Sequence, residues 1–180
     1  MKKITIGMIL LACILSFLHS SSDVKAKEIS RGKYEVTLKN NKGNAIGKAL
    51  LVQTNNGVLV QVKASGLDPG FHGIHFHEVG RCEGPDFSSA GGHFNPFQKE
   101  HGLKNPKGSH AGDLNNITAD AQGIVNTTFI TRRVTLKKGE KHSLFDLDGS
   151  ALIIHAKADD QMSNPSGNSG DRVVCGVIKK

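Results

Sequence analysis

The chain has 180 residues, 37% hydrophobic and 22% charged, with a mean hydropathy of -0.27, which argues against a polytopic membrane protein or a fully disordered chain and makes one domain the default. With 21 Gly, one Tyr and no Trp, the core must come from Val, Ile, Leu and Phe, and the glycines imply many turns, so the composition leans all-β. The net charge of +7 is carried by Lys and Arg that read as scattered, with little aromatic surface for stacking bases; this argues against a nucleic acid partner and favours encounter with small anions.

Lys2 and Lys3 precede an apolar run from Ile4 to Leu18, followed by a polar stretch ending in Val24-Lys25-Ala26. This is a signal-peptide pattern, too short for a membrane-spanning helix, so residues 1–26 are expected to be removed from an exported, extracytoplasmic protein of bacterial type whose domain is 27–180. Leu10-Leu11-Ala12-Cys13 also resembles a lipobox, an alternative processing route that would leave a lipid anchor at Cys13. After cleavage at Ala26 only Cys82 and Cys175 remain. In an oxidising compartment the pair reads as a disulfide, the alternative being two buried thiols.

Strand-like alternation begins at Lys33, with Tyr34, Val36 and Leu38 on one face, and turns at Asn40 to Asn44. Ala49 to Thr54 and Val58 to Ala64 form the next two strands, joined by Asn55-Asn56-Gly57, whose Asn-Gly step suits a tight hairpin. Further strands are expected over Phe71 to Glu78, Gly123 to Arg132, Ala151 to Ala156 and Arg172 to Ile178. Two long stretches, Val79 to about Leu114 and Asp159 to Asp171, have no strand pattern and read as functional loops on a rigid scaffold.

Seven of the nine histidines fall within Phe71 to Asp113 or at His155. His75 and His77 share one strand face, roughly 7 Å apart, a spacing that suits two ligands of one metal. His93, His101, His110 and Asp113 supply three imidazoles and a carboxylate, a tetrahedral zinc set. His155 ends an apolar strand and with His75 and His77 offers nitrogen donors suited to copper.

The segments Gly70 to Glu78, Ala90 to Pro96, Ser109 to Leu114 and Gly167 to Ile178, in that order, resemble the copper/zinc superoxide dismutase family. The resemblance implies an eight-stranded Greek-key β-barrel, a flattened, immunoglobulin-like sandwich with two long functional loops. It further implies one copper per chain on His75, His77, His93 and His155, and one zinc on His93, His101, His110 and Asp113, with His93 bridging. Asp159 matches the carboxylate that links a copper histidine to a zinc histidine, Arg172 the arginine that orients superoxide, and Cys82 with Cys175 the intrasubunit disulfide. His72 matches a structural histidine and is not counted as a ligand. The segment before Arg172, Gln161 to Ser166, has no Lys or Glu, so the charge pattern that steers the anion in some relatives is absent. A homodimer is compatible with the sequence. The competing reading is an extracytoplasmic copper or zinc binding protein that kept the ligands without turnover.

Overall fold

The computed structural model describes residues 32–180; the signal-peptide and Cys13 expectations lie outside this range. Nine strands appear in chain order: β1 (Lys33–Asn40), β2 (Ala45–Thr54), β3 (Gly57–Ala64), β4 (Gly70–His72), β5 (Ile74–His77), β6 (Ile117–Ala119), β7 (Val125–Thr131), β8 (Ser150–His155) and β9 (Arg172–Ile178). Seven form one curled antiparallel sheet in the order β5-β8-β9-β1-β2-β3-β7, and β4 pairs with β6 in a second. No helix among the described residues is long and apolar enough to cross a membrane.

The hairpin at Asn55 and Asn56 forms as the sequence indicates, closing on the Thr54–Gly57 pair with Gly57 at a positive φ of 119°. An added Cβ there would run into the carbonyl oxygen of Thr131, so the glycine is required by space as well as by backbone conformation.

The nine strands are two more than the seven that periodicity places in the sequence, for two reasons. Phe71 to Glu78, expected as one strand, is divided at Gly73, whose N–H donates to the Lys157 carbonyl and whose own carbonyl accepts from the His155 N–H, both at 2.8 Å. The chain thereby leaves β6 and joins β8. The three-residue β6 is too short to show an alternation in sequence.

Alternation places the core. Val36 and Leu38 of β1, Leu51 of β2, Val58, Val60 and Val62 of β3, and Ile74 and Phe76 of β5 share one buried cluster, each burial worth about 1.5 to 3 kcal/mol. On β5 the alternate residues His75 and His77 are equally buried, on the opposite face. Their partners across β8 are Ile153 and Ala151, which belong to a second cluster with Phe87, Ala90 and Cys175. The face of the sheet that carries His75 and His77 is therefore covered by the loop after β5, pinned by the Cys82–Cys175 disulfide with Cα atoms 5.7 Å apart.

Candidate metal centre

Two loop segments lie along β5. The Phe76 N–H donates to the Gly112 carbonyl, the Phe94 N–H to the Phe76 carbonyl and the Gly112 N–H to the Phe94 carbonyl, at 2.8 to 2.9 Å. Gly112 is needed for this approach, because a Cβ there would collide with the Phe76 carbonyl oxygen. The result sets His93 against His77 and Asp113 against His75 as bridge partners. His155 arrives from the end of β8, where the pairing shifts from Ile154–Val174 to His155–Arg172. This bulge leaves Val173 unpaired and places Arg172 opposite His155.

Every ligand residue expected from the sequence is brought together. Donor atoms of His75, His77, His93 and His155 lie within 4.8 Å of one another, as do those of His93, His101, His110 and Asp113, and His93 belongs to both sets. Arg172 is not one of these donors; its guanidinium gives hydrogen bonds of 2.7 Å to the carbonyls of Phe87 and Gly91.

In the first set, neighbours fix which nitrogen is free. His75 Nε2 donates to Asp159 Oδ2 at 2.7 Å, His77 Nδ1 to the Gly91 carbonyl at 3.0 Å, and His155 Nδ1 to the Gly170 carbonyl at 3.1 Å. The nitrogens left over, His75 Nδ1, His77 Nε2 and His155 Nε2, together with His93 Nε2, are buried and have no hydrogen-bond partner. Burying a bare polar nitrogen costs about 1 to 3 kcal/mol; four converging in one place are explained by an ion that accepts their lone pairs. Burial, reinforced by neighbouring histidines and opposed by Asp159, pushes His75 down to about 3. Burial, opposed by the Gly170 carbonyl, pushes His155 down to about 4, and it also holds His77 well below its ordinary value. These rings stand neutral at pH 7, as metal donors must.

The second set centres on one oxygen. Asp113 Oδ1 lies 3.0, 3.1 and 3.2 Å from Nδ1 of His93, His101 and His110, and the last of these is out of hydrogen-bond line. A tetrahedral ion with bonds of about 2.0 Å would separate its ligand atoms by about 3.3 Å, close to these spacings. Asp113 Oδ2 is occupied, accepting the N–H groups of Gly102 at 2.9 Å and His110 at 3.0 Å. Burial raises the Asp113 carboxyl, but the adjacent rings of His101, His110 and His93 and the hydrogen bond from the Gly102 N–H outweigh it and hold the group well below the usual carboxylate range.

Asp159 joins the two sets, its second oxygen lying 3.1 Å from His101 Nε2. Burial opposes the charge on His101, yet Asp113 and Asp159 raise that ring to about 9. Gly73 leaves room beside Asp159 and His75, since an added Cβ would come within 3.3 Å of both. Sequence reasoning missed Asn116, which grips the Asp159 backbone from both sides: its Nδ2 donates to the Asp159 carbonyl at 2.8 Å and its Oδ1 accepts the Asp159 N–H at 2.9 Å. Asn115-Asn116 reads as a turn, and nothing local signals a partner 43 residues away. His72 is accounted for outside the centre, both ring nitrogens lying 2.7 Å from the carbonyl oxygens of His155 and Asp68.

The donor chemistry, four imidazoles beside a three-imidazole, one-carboxylate set, fits copper next to zinc. Residues 26–178 match the family model described as copper/zinc superoxide dismutase (SODC). The chain belongs to the copper/zinc superoxide dismutase family. It is 53% identical over 148 residues to superoxide dismutase [Cu-Zn] 1 of Aquifex aeolicus, covering 82% of this chain and 88% of that one. It is 47% identical to superoxide dismutase [Cu-Zn] 2 of the same organism, covering 99% and 100%. Among solved structures, a double mutant of a SOD-like protein from Bacillus subtilis superposes with a TM-score of 0.79 at 48% identity, covering 81% of this chain and 97% of that one. The Cu/Zn superoxide dismutase from Brucella abortus superposes with a TM-score of 0.67 at 29% identity, covering 81% and 99%. The protein is thus an oxidoreductase of a family that uses copper and zinc, and it acts on superoxide at a histidine-rich site.

The pKa shifts give the metal-free protein a defined pH response. His75 and His155 are lowered from 6.5 to about 3 and about 4, so below pH 6.5 the unfolded chain binds more protons than the folded one. Their contribution is full above pH 6.5 and is lost as pH falls, by about 2 kcal/mol per histidine at pH near 5. His101, raised to about 9, has the opposite sign: its contribution is full below 6.5 and lost as pH rises towards 9. The urea midpoint of the metal-free protein should therefore be highest near neutrality and fall on both sides. A midpoint near pH 4.5 equal to that at neutrality would contradict the neutral buried state of these rings.

Proposed function

We propose that His75, His77, His93 and His155 hold copper, that His93, His101, His110 and Asp113 hold zinc, and that the shared His93 ring couples the two during dismutation of superoxide outside the cytoplasm. The observation that carries this reading is the set of four buried, unpartnered nitrogens that converge beside the Asp113 cluster. When bound, copper supplies one-electron exchange between Cu(II) and Cu(I), and zinc, which has no redox chemistry, supplies a fixed charge that orders the loops.

The chain's own residues do the rest. Two superoxide anions and two protons give O2 and H2O2. His93 presents Nε2 to one donor set and Nδ1 to the other, so Nε2 is the atom that takes up a proton in the half-cycle that releases O2 and gives it up as H2O2 forms. Arg172 is the anion-orienting group. The Gly91 carbonyl accepts from both Arg172 Nη2 and His77 Nδ1, which fixes the guanidinium relative to a copper-set ring. Asp159 holds His75 and His101 through one carboxylate, locking their tautomers and orientations. Function outside the cytoplasm is supported by the disulfide and by the apolar N-terminal run. A homodimer, and lipidation at Cys13 in place of cleavage after Ala26, are compatible with this reading.

Metal content of single variants tests the ligand assignment. His77→Ala should lose copper by about 10- to 100-fold in affinity while keeping zinc, and His101→Ala should do the reverse. Loss of both metals in equal measure from each variant would contradict two separate donor sets that have only the His93 ring in common.

A further inference from the structure

The positive charge of the described residues is not scattered, as their sequence suggested. Residues 32–180 contain 18 Lys and Arg against 14 Asp and Glu. Five of those cations, Arg132, Arg133, Lys137, Lys138 and Lys141, lie in the eleven residues 132–142 with one carboxylate, Glu140. Outside this segment residues 32–180 are neutral, 13 against 13. All five cations are exposed, and Glu140 lies 3.7 Å from His142.

The segment also shapes a surface. It borders two cavities, one of about 660 Å³ reached by Arg132, Lys137 and His142 together with Asn55 and Asn56, the other of about 260 Å³ reached by Arg132, Arg133 and His142. They share Arg132 and His142, and neither is lined by a carboxylate. Arg172 opens on a different cavity that shares no residue with these two; the smaller of the two is also lined by His110 of the zinc set.

We propose that residues 132–142 and the two cavities they border form a docking surface for a linear polyanion carrying regularly spaced phosphates. Charge complementarity identifies the occupant: five exposed cations against one carboxylate, three of them lining two cavities without carboxylates, match charges strung on a chain, and Asn55 and Asn56 add amide donors. Base stacking is not on offer, because Phe97, the aromatic side chain at this surface, has Lys141 Nζ over its ring at 5.4 Å and His142 tilted against it. A bilayer surface would be met by a flat or convex face with apolar side chains to insert, whereas Arg132, Arg133 and Lys137 border hollows.

The test uses the full metal-loaded chain and long-chain inorganic polyphosphate as probe, followed by fluorescence anisotropy across a salt series. Binding should weaken linearly on a log–log plot, by about 0.7 per phosphate neutralised. The triple variant Lys137→Gln, Lys138→Gln, Lys141→Gln should lose at least 10-fold in affinity at low salt and clear superoxide at the parental rate. A triple variant with the same charge change elsewhere, Lys33→Gln, Lys63→Gln, Lys179→Gln, should bind like the parent. Equal losses in the two triples would reduce the effect to net charge and overturn the proposal. So would parental binding by the first triple, or tighter binding to vesicles rich in phosphatidylglycerol or to single-stranded DNA than to polyphosphate.

Discussion

Replacing His93 by Ala should cut superoxide clearance by at least about 100-fold while zinc is only partly lost. The ring is the one donor common to both sets, stacked on His75 with centroids 3.9 Å apart and edge-on to His77, His101 and His110. Its removal leaves His101, His110 and Asp113 for zinc and His75, His77 and His155 for copper, so neither metal is stranded without ligands. What disappears is the nitrogen proposed to pass a proton between the half-cycles and the ring that the two sets share. His101→Ala, which removes a ring of the zinc set and one of the two ring contacts of Asp159, should be milder in rate and worse in stability. A His93→Ala protein with parental clearance at full copper loading would show that the shared ring does not take part in turnover.

The second large effect concerns stability. Cys82 and Cys175 are 93 residues apart, and closing a loop of that length restricts the unfolded chain by about 4 to 5 kcal/mol. Cys175 sits with Phe87, Ala90, Ala151 and Ile153 in the cluster that covers the face carrying His75 and His77, and the Phe87 carbonyl accepts from Arg172 Nη1. The double variant Cys82→Ser, Cys175→Ser should therefore lower the urea midpoint by about 2 M at a slope of about 2 kcal/mol/M. It should also slow clearance, because the carbonyls that aim Arg172 belong to the loop the bond pins. A midpoint shift under about 0.5 M would mean that the loop is held by its packing alone.

Much of this was legible in the sequence because strand periodicity and ligand chemistry are local signals. Val58 to Ala64 alternates, and it forms β3 with Val58, Val60, Val62 and Ala64 buried. The histidine pair on β5 followed from the period of two, and the remaining ligands from their residue types and from the family resemblance. What escaped depends on geometry between distant segments. The division at Gly73 arises because its N–H is taken by the Lys157 carbonyl and its carbonyl by the His155 N–H. The bulge that sets Arg172 against His155 lies in a Val-Val-Cys-Gly-Val run that reads as regular strand. Asn116 acts on Asp159 through its side-chain amide, and an asparagine beside another asparagine looks like any turn. The charge excess in 132–142 is interrupted by Val134, Thr135 and Leu136, so it forms no run of like charges and shows only once the rest of residues 32–180 is seen to be neutral.

The most direct test of the central claim is superoxide clearance by the chain reconstituted with one Cu and one Zn, measured beside His75→Ala under the same loading conditions. Fast, cyanide-sensitive clearance in the parent, lost in the variant together with its copper, is the predicted result. Stoichiometric copper in the parent with clearance no faster than that of free copper would contradict it and leave a protein that binds the metals without turning over superoxide.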